Sequence, residues 1–287
     1  MKHKIFNLLL VALLVVSASC HKKANEAAPS TCLLTNQTAY NGAEIVGIEP
    51  ISVIDYDYNS ENKLTTVTTY TNSNIMIPAY LSTQYTYDAL GRIIKATVSE
   101  ASNKAYEYTT YIYNANNTLA TDTNYSIMQN GLLVNGYTIY YYDNTGKVTS
   151  SSIYYNKNET DTVAPSFFLY DSLTYLYDNN GNVLQQLYAG TPYSITYTYD
   201  DKPRYTTAAD KVTNIPQSLC KNNVTSVVSN SPVYDEYTQI LTYTYNANNY
   251  PVTVASAVTA PGQFGIIGQY KIPLPLVDTV YYNYTCH

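Results

Sequence analysis

Apolar and polar residues alternate with a period of two through most of the chain beyond residue 50. The pattern is clearest in YTYDALGRI, Tyr85 to Ile93, where two tyrosines one residue apart precede a short polar turn and an aliphatic residue follows it. The same tyrosine spacing recurs at Tyr56/Tyr58, Tyr111/Tyr113, Tyr140/Tyr142, Tyr175/Tyr177, Tyr197/Tyr199, Tyr243/Tyr245 and Tyr282/Tyr284. Residues two apart in a strand share a face, so each pair marks one face of one strand.

The turns that follow have a common chemistry. Asn59 to Asn62, Asp88 to Gly91, Asn114 to Asn117, Asp143 to Gly146 and Asp178 to Gly181 each open with Asp or Asn and close with Gly or Asn. An opening Asx side chain can bond the backbone two residues on. A closing Gly or Asn tolerates the positive φ that a type I turn with a G1 bulge requires. Pairing Asp88 with Arg92 sets Tyr87 opposite Ile93, and the same register sets Tyr58 by Leu64, Tyr113 by Leu119, Tyr142 by Val148 and Tyr177 by Val183. Aromatic and aliphatic partners then share one face, while Thr86, Thr118, Lys63 and Lys147 belong to the face turned to solvent.

Two repeats break the pattern. Pro203 occupies the place of Gly91 and cannot adopt positive φ, so Asp200 to Asn223 is expected to be a long irregular loop. Pro251 replaces the aliphatic partner of Tyr245, which suits an edge strand or a bulge. The whole predicts an all-β fold, a curved antiparallel meander of repeated β-hairpins with roughly fourteen to sixteen strands, curled because large open sheets seldom stay flat. Its tyrosine faces turn inward; the alternative is that part of the stripe is an exposed aromatic platform.

Composition sharpens this picture. Among 287 residues there are 35 Tyr, 4 Phe and no Trp, so tyrosine is the main packing material. Of the 15 Lys and Arg, Lys2 and Lys4 belong to the leader; against 21 Asp and Glu the rest of the chain carries a net charge near −8. Such a body is not built to seek nucleic acid.

At the N-terminus, Lys2 and Lys4 precede an apolar stretch from Ile5 to Val16, and Ser17, Ala18 and Ser19 precede Cys20. This has the form of a secretory leader. The small residues before Cys20 resemble a bacterial lipobox, although Ser17 stands where an aliphatic residue is usual. Residues 1–19 are thus expected to be a lipoprotein signal peptide and Cys20 the lipidated residue, with plain secretion as the alternative. HKKANEAAPST after it suits a flexible tether over 20–31, followed by one β domain over 32–287 with an irregular insertion near 200–223. Cys32, Cys220 and Cys286 remain. Three pairings are open, and the position of Cys32 and Cys286 at the two ends of the array favours that pair; three unpaired thiols are the competing reading.

The chain offers little chemistry. His3, His21 and His287 all lie outside the expected body, which removes the central residue of Ser-His-Asp and Cys-His mechanisms and of His-rich zinc sites. No cofactor is implied. Glu107, Asp200, Asp201, Asp235 and Glu236 are carboxylates that the turns do not explain, and a convergent pair of them would suffice for glycoside hydrolysis. Exposed strand or loop acids are the plainer account.

The unit YxYDxxGR, as at Tyr85 to Arg92, resembles the YD repeat of RHS-type proteins. YTYDDKPRY at Tyr197 to Tyr205, CKNNVTSV at Cys220 to Val227 and YTYNANNYPVTV at Tyr243 to Val254 are similar to a group of Bacteroidetes lipoproteins of unknown function. The resemblance implies an RHS-like curved antiparallel sheet and carries no catalytic residues. The chain is shorter than the RHS shells that enclose toxins.

The expected function is a membrane-anchored envelope lipoprotein, bound to the outer membrane through its N-terminal lipid, acting as a non-enzymatic binding or scaffold module for glycans or another envelope protein. Which side of the membrane it faces is left open. A carboxylate-dependent polysaccharide hydrolase and a purely structural envelope protein are the alternatives. Where the repeat fails, Tyr197, Tyr199, Asp200, Asp201 and Arg204 form the candidate ligand platform.

Overall fold

A computed structural model describes residues 32–41, 50, 52–71, 79–102, 104–129, 131–157, 165–213, 215–230, 237–259, 265–267, 270–272 and 276–286. The expected signal peptide, Cys20 and the tether lie outside the described residues, as do Asp235 and Glu236.

The strands are β1 (Cys32–Asn41), β2 (Ser52–Tyr58), β3 (Leu64–Thr71), β4 (Ala79–Tyr87), β5 (Ile93–Glu100), β6 (Ala105–Tyr113), β7 (Leu119–Met128), β8 (Gly131–Tyr142) and β9 (Val148–Asn156). They continue as β10 (Phe167–Tyr177), β11 (Val183–Tyr188), β12 (Ser194–Pro203), β13 (Asn222–Asn230), β14 (Tyr237–Tyr245), β15 (Pro251–Thr259), β16 (Gly265–Ile267), β17 (Tyr270–Ile272) and β18 (Leu276–Cys286). From β1 to β15 each strand pairs antiparallel with the next; β18 then pairs with both β15 and β1 and closes a barrel. β16 and β17 form a separate two-stranded sheet.

Closure corrects the expected open meander. The all-β antiparallel repeat is present, but its two ends meet: β1 and β18 pair from Cys32↔Cys286 to Asn41↔Asp278. A disulfide joins Cys32 to Cys286 across 254 residues of sequence. Cys220 is a free, buried thiol.

Local chemistry accounts for the hairpins. Asn62, Gly91, Asn117, Gly146 and Gly181 all have positive φ, between 58° and 88°, at the turn position where Gly and Asn meet the least steric resistance. In the turn from Asp88, one carboxylate oxygen, Oδ1, accepts the backbone N–H of Leu90 and of Arg92, both at 2.9 Å. Asp143 and Asp178 hold their turns in the same way. A register shift follows each turn, so Tyr87 faces Ile93 and Tyr177 faces Val183. Pro251 is the first residue of β15, opposite Tyr245 and beside such a shift. It therefore sits at a bulge of an internal strand, where its missing N–H removes no regular ladder bond.

The tyrosine stripe faces the lumen. Leu64, Ile93, Leu119, Val148 and Val183 are all buried, and Tyr111, Tyr175 and Tyr197 join the same core. Many ladder positions on the outer face are Thr or Ser, among them Thr66, Thr68, Thr86, Thr198, Thr242 and Thr244, with Asp55, Asp57 and Lys95 interspersed and with Ile112, Tyr141, Leu176 and Ile240 exposed between them.

A ring of sixteen strands encloses more space than wall side chains alone can fill. At the end that carries the tight turns, the gap is filled from within. The segment expected to be a loop continues β12 as far as Pro203. It then folds inward over 204–221 through two short 3-10 turns, Asp210–Val212 and Gln217–Leu219. Val212, Ile215 and Cys220 join the core formed by Ile93, Tyr111, Val148 and Tyr197. The insertion is a plug.

Candidate functional site

Alternation of strand direction gives the barrel two unlike ends. The tight turns, the plug and the Cys32–Cys286 disulfide share the sealed end; the last residues of β9 and β13 and the first residues of β10 and β14 lie at the other.

At the sealed end the second tyrosine of each pair before Tyr282/Tyr284 does more than pack. Tyr87 donates its hydroxyl to the carbonyl of Leu64 at 2.6 Å, Tyr113 to Ile93 at 2.7 Å, Tyr142 to Leu119 at 2.7 Å, Tyr177 to Val148 at 2.7 Å and Tyr199 to Val183 at 2.7 Å. Tyr58 reaches the carbonyl of Leu34 on β1 at 2.9 Å. Apart from Leu34 on the first strand, each acceptor belongs to the strand that opens just after the preceding turn, so each of these hydroxyls latches one hairpin to the one before it. Phenylalanine would fill the same space without satisfying the carbonyl, which accounts for the tyrosine bias of the composition.

The first tyrosines form a second, deeper layer. Tyr140 donates to Asp122 Oδ2 at 2.7 Å, and Tyr175 and Ser151 share a hydrogen bond of 2.9 Å. Burial raises the Asp122 carboxyl above the usual carboxylate range, against the opposing effect of the Tyr140 bond. Tyr197 accepts from Gln217 Nε2 on the plug at 3.3 Å, and the same amide donates to Gln186 Oε1.

The residues singled out as a ligand platform are brought together but not as a platform. Tyr197 is only 8% exposed and sits in the core, so its ring offers no face for stacking. The Tyr199 hydroxyl is committed to Val183, with the Cys220 sulfur at 3.4 Å. Asp200 is a structural acceptor: it takes the backbone N–H of Lys202 at 3.0 Å and of Asn223 at 3.1 Å, and the hydroxyl of Tyr245. Asp201 is exposed, with Lys202 at 3.5 Å. Arg204 leads into the plug, its backbone N–H bonded to the carbonyl of Lys221 at 2.8 Å and its Nη1 to that of Gln217 at 3.1 Å. The repeat failed at this point because the chain turns inward. Glu107 lies on β6, well away around the wall from the Asp200–Asp201 pair on β12. Among the described residues no three His, Cys, Asp or Glu side chains gather as a metal site.

Sequence reasoning missed two features. Between the plug and the wall of β1, β14, β15 and β18 lies a recess of about 200 Å³, whose polar lining includes Gln37, Arg204, Asp210, Asn223, Tyr282 and Tyr284. No local motif marks it, because it is assembled from strands at both ends of the chain. At the far end of the barrel several apolar side chains stand exposed, Leu132, Tyr155, Phe168, Leu169 and Tyr170, and the rings of Tyr155, Phe168 and Tyr170 cluster. The Tyr155 and Tyr170 rings are 4.5 Å apart and those of Phe168 and Tyr170 6.4 Å. The run FFLY in the sequence carried that signal, but without the repeat spacing.

No family model matches the chain, and no curated protein matches it. Among solved structures it is similar to a porin-like protein from Bacteroides uniformis, at 16% identity over 88% of this chain and 96% of that one, with a TM-score of 0.52. The likeness is one of fold. Two further matches are TcdB2-TccC3-TEV, at 12% identity and a TM-score of 0.31, and the Photorhabdus luminescens Tc holotoxin pore, at 15% identity and 0.25. They cover 79% and 74% of this chain, which spans only 13% and 11% of theirs, and at those scores neither bears on the fold.

Proposed function

We propose that this protein is an envelope lipoprotein of the YD-repeat type, held to the outer membrane by a lipid on Cys20, and that its barrel is a binding module and not a channel. Bacterial transmembrane barrels carry an apolar outer band about 25 Å tall. An outer face rich in threonine suits water instead, and the plug occupies the lumen where a channel would run. The lipid then supplies the membrane attachment that the wall does not.

The observation that carries the reading is the polarity of the barrel. The chain enters at the sealed end, so a tether from Cys20 would place that end toward the membrane and the exposed cluster of Tyr155, Phe168 and Tyr170 away from it. Exposed aromatic rings at a distal rim suit stacking against the apolar faces of sugar rings, and a patch of this kind on a soluble face marks an interaction site. The ligand class is envelope or surface glycan.

A panel of immobilised glycans probed with the full-length protein tests this. Retention on at least one glycan is expected, with loss in Tyr170→Ala and Phe168→Ala. Retention untouched by both substitutions, or none across the panel, would refute the glycan reading. Stepwise conductance in a planar bilayer would refute the non-channel reading.

A further inference from the structure

We infer that the recess beside the plug is a binding site for a small monocarboxylate rich in hydroxyl groups, of the size of a single sugar acid, with Arg204 as the carboxylate anchor.

The first support is a cation without a counter-ion. Arg204 faces the lumen, and its guanidinium donates through Nη1 to the carbonyl of Gln217. Among the described residues it forms no ion pair, while both nearby carboxylates are engaged elsewhere. Asp200 holds Lys202, Asn223 and Tyr245. Asp210 Oδ2 accepts the backbone N–H of Thr207 at 2.6 Å and its hydroxyl at 2.8 Å. Burial raises the phenols of Tyr243 and Tyr282, which line the same recess, and the nearby charge of Arg204 offsets part of that rise. A partly buried guanidinium presents a fixed fork of donors that matches a carboxylate in two parallel bonds.

The second support is a latch that is not made. Tyr284 is the second tyrosine of its pair, and its counterparts from Tyr58 to Tyr199 all donate to a main-chain carbonyl. Its hydroxyl is buried and has no partner. The ring packs against Tyr205 and Tyr250 instead, at 5.3 Å from each, and lines the recess. A buried hydroxyl left unpaired costs about 1–3 kcal/mol, so an orphan on a ring that lines the recess points to a ligand that completes it.

The rest of the lining sets the class. The Gln37 amide and the Tyr282 phenol supply donors and acceptors suited to hydroxyl groups, and because the Asp210 carboxylate repels any anion, the single charge of Arg204 can offset one negative charge but not two. That selects a monoanion over a phosphate dianion. A volume of about 200 Å³ accommodates one sugar ring and not an oligomer. The site is at the opposite end of the barrel from the aromatic rim and stands independently of it.

Calorimetric titration of the full-length protein in detergent with glucuronate, galacturonate and glucose decides the matter. Uronate binding is expected, with glucose weaker by about ten-fold or more, the equivalent of about 1.4 kcal/mol. Arg204→Gln is expected to abolish the preference for the acid. Tyr284→Phe removes a hydroxyl that bonds nothing, so the melting temperature without ligand should stay level or rise while uronate affinity falls several-fold. Uronates that fail to bind at millimolar concentration, or bind no better than glucose, overturn the inference. So does uronate binding that survives Arg204→Gln; should that variant not fold, unchanged affinity in Tyr284→Phe overturns it alone.

Discussion

Replacing Tyr177 by Phe deletes one oxygen from the interior and leaves the ring, its packing and the Lys147 ammonium 5.2 Å above it in place. What is lost is the 2.7 Å bond to the carbonyl of Val148, a residue only 1% exposed. A net hydrogen bond contributes about 0.5–1.5 kcal/mol, and a buried carbonyl left without a donor costs about 1–3 kcal/mol. The expected destabilisation is therefore about 2 kcal/mol, which for a domain of this size lowers the melting temperature by roughly 4–8 °C. Tyr141→Phe is the control, because that side chain points outward and is exposed; its effect should stay within about 0.5 kcal/mol. Urea unfolding followed by tyrosine fluorescence measures both. Tyr87→Phe, on a distant part of the wall, should add to Tyr177→Phe without coupling. If Tyr177→Phe proves as mild as Tyr141→Phe, the hydroxyls do not latch the repeats, and the tyrosine bias needs another cause.

Reduction of the Cys32–Cys286 disulfide releases a closed loop of 254 residues, worth about 5 kcal/mol by loop entropy; denaturation midpoints with and without dithiothreitol should differ accordingly. Gly146 has φ +84° and open space for 4 Å around the position a Cβ would take, so Gly146→Ala isolates backbone strain and should cost about 1 kcal/mol, whereas Asn62→Gly, at the same turn position, should be neutral or mildly stabilising. Burial raises the Asp122 carboxyl, so the fold favours its protonated form. Wild-type stability from this group is greatest below the ordinary aspartate range and falls as pH rises toward the raised value. Asp122→Asn should remove that decline, and unfolding midpoints measured from about pH 3 to pH 8 would show the curves of the two proteins diverging on the alkaline side.

Hairpin, register and face were legible because their causes are local. Asp88 and Gly91 determine one turn between them, and the turn places Tyr87 against Ile93 without help from the rest of the chain. Tyr108 has a tyrosine two residues before it and stands on the outer face, stacked on Tyr125 at 4.6 Å. Spacing alone does not orient a strand; the turn that follows does. Closure was not legible in the residue pattern of β1 and β18; only the cysteines they carry, Cys32 and Cys286, hinted that the two ends of the array meet. Nor was the plug. Val212 and Ile215 are two apolar residues in an irregular stretch, and they are buried only because a sixteen-strand wall leaves a space for them. The recess at Arg204 inherits both difficulties, being lined by the plug and by the strands that close the barrel.

The disulfide at the seam also governs how the protein bears tension. A chain held at Cys20 has twelve residues before Cys32, a reach of at most about 40 Å when drawn straight. Beyond that extension any pull reaches Cys32 and, through the sulfur bridge, Cys286 at the same instant. β1 cannot then be peeled from its neighbours alone, because β18 is pulled with it from the same end. Two adjacent strands must be torn away together from β2 and β15, so under the proposed lipid anchor the barrel would resist a tug as a closed hoop and not as a ribbon with a loose end.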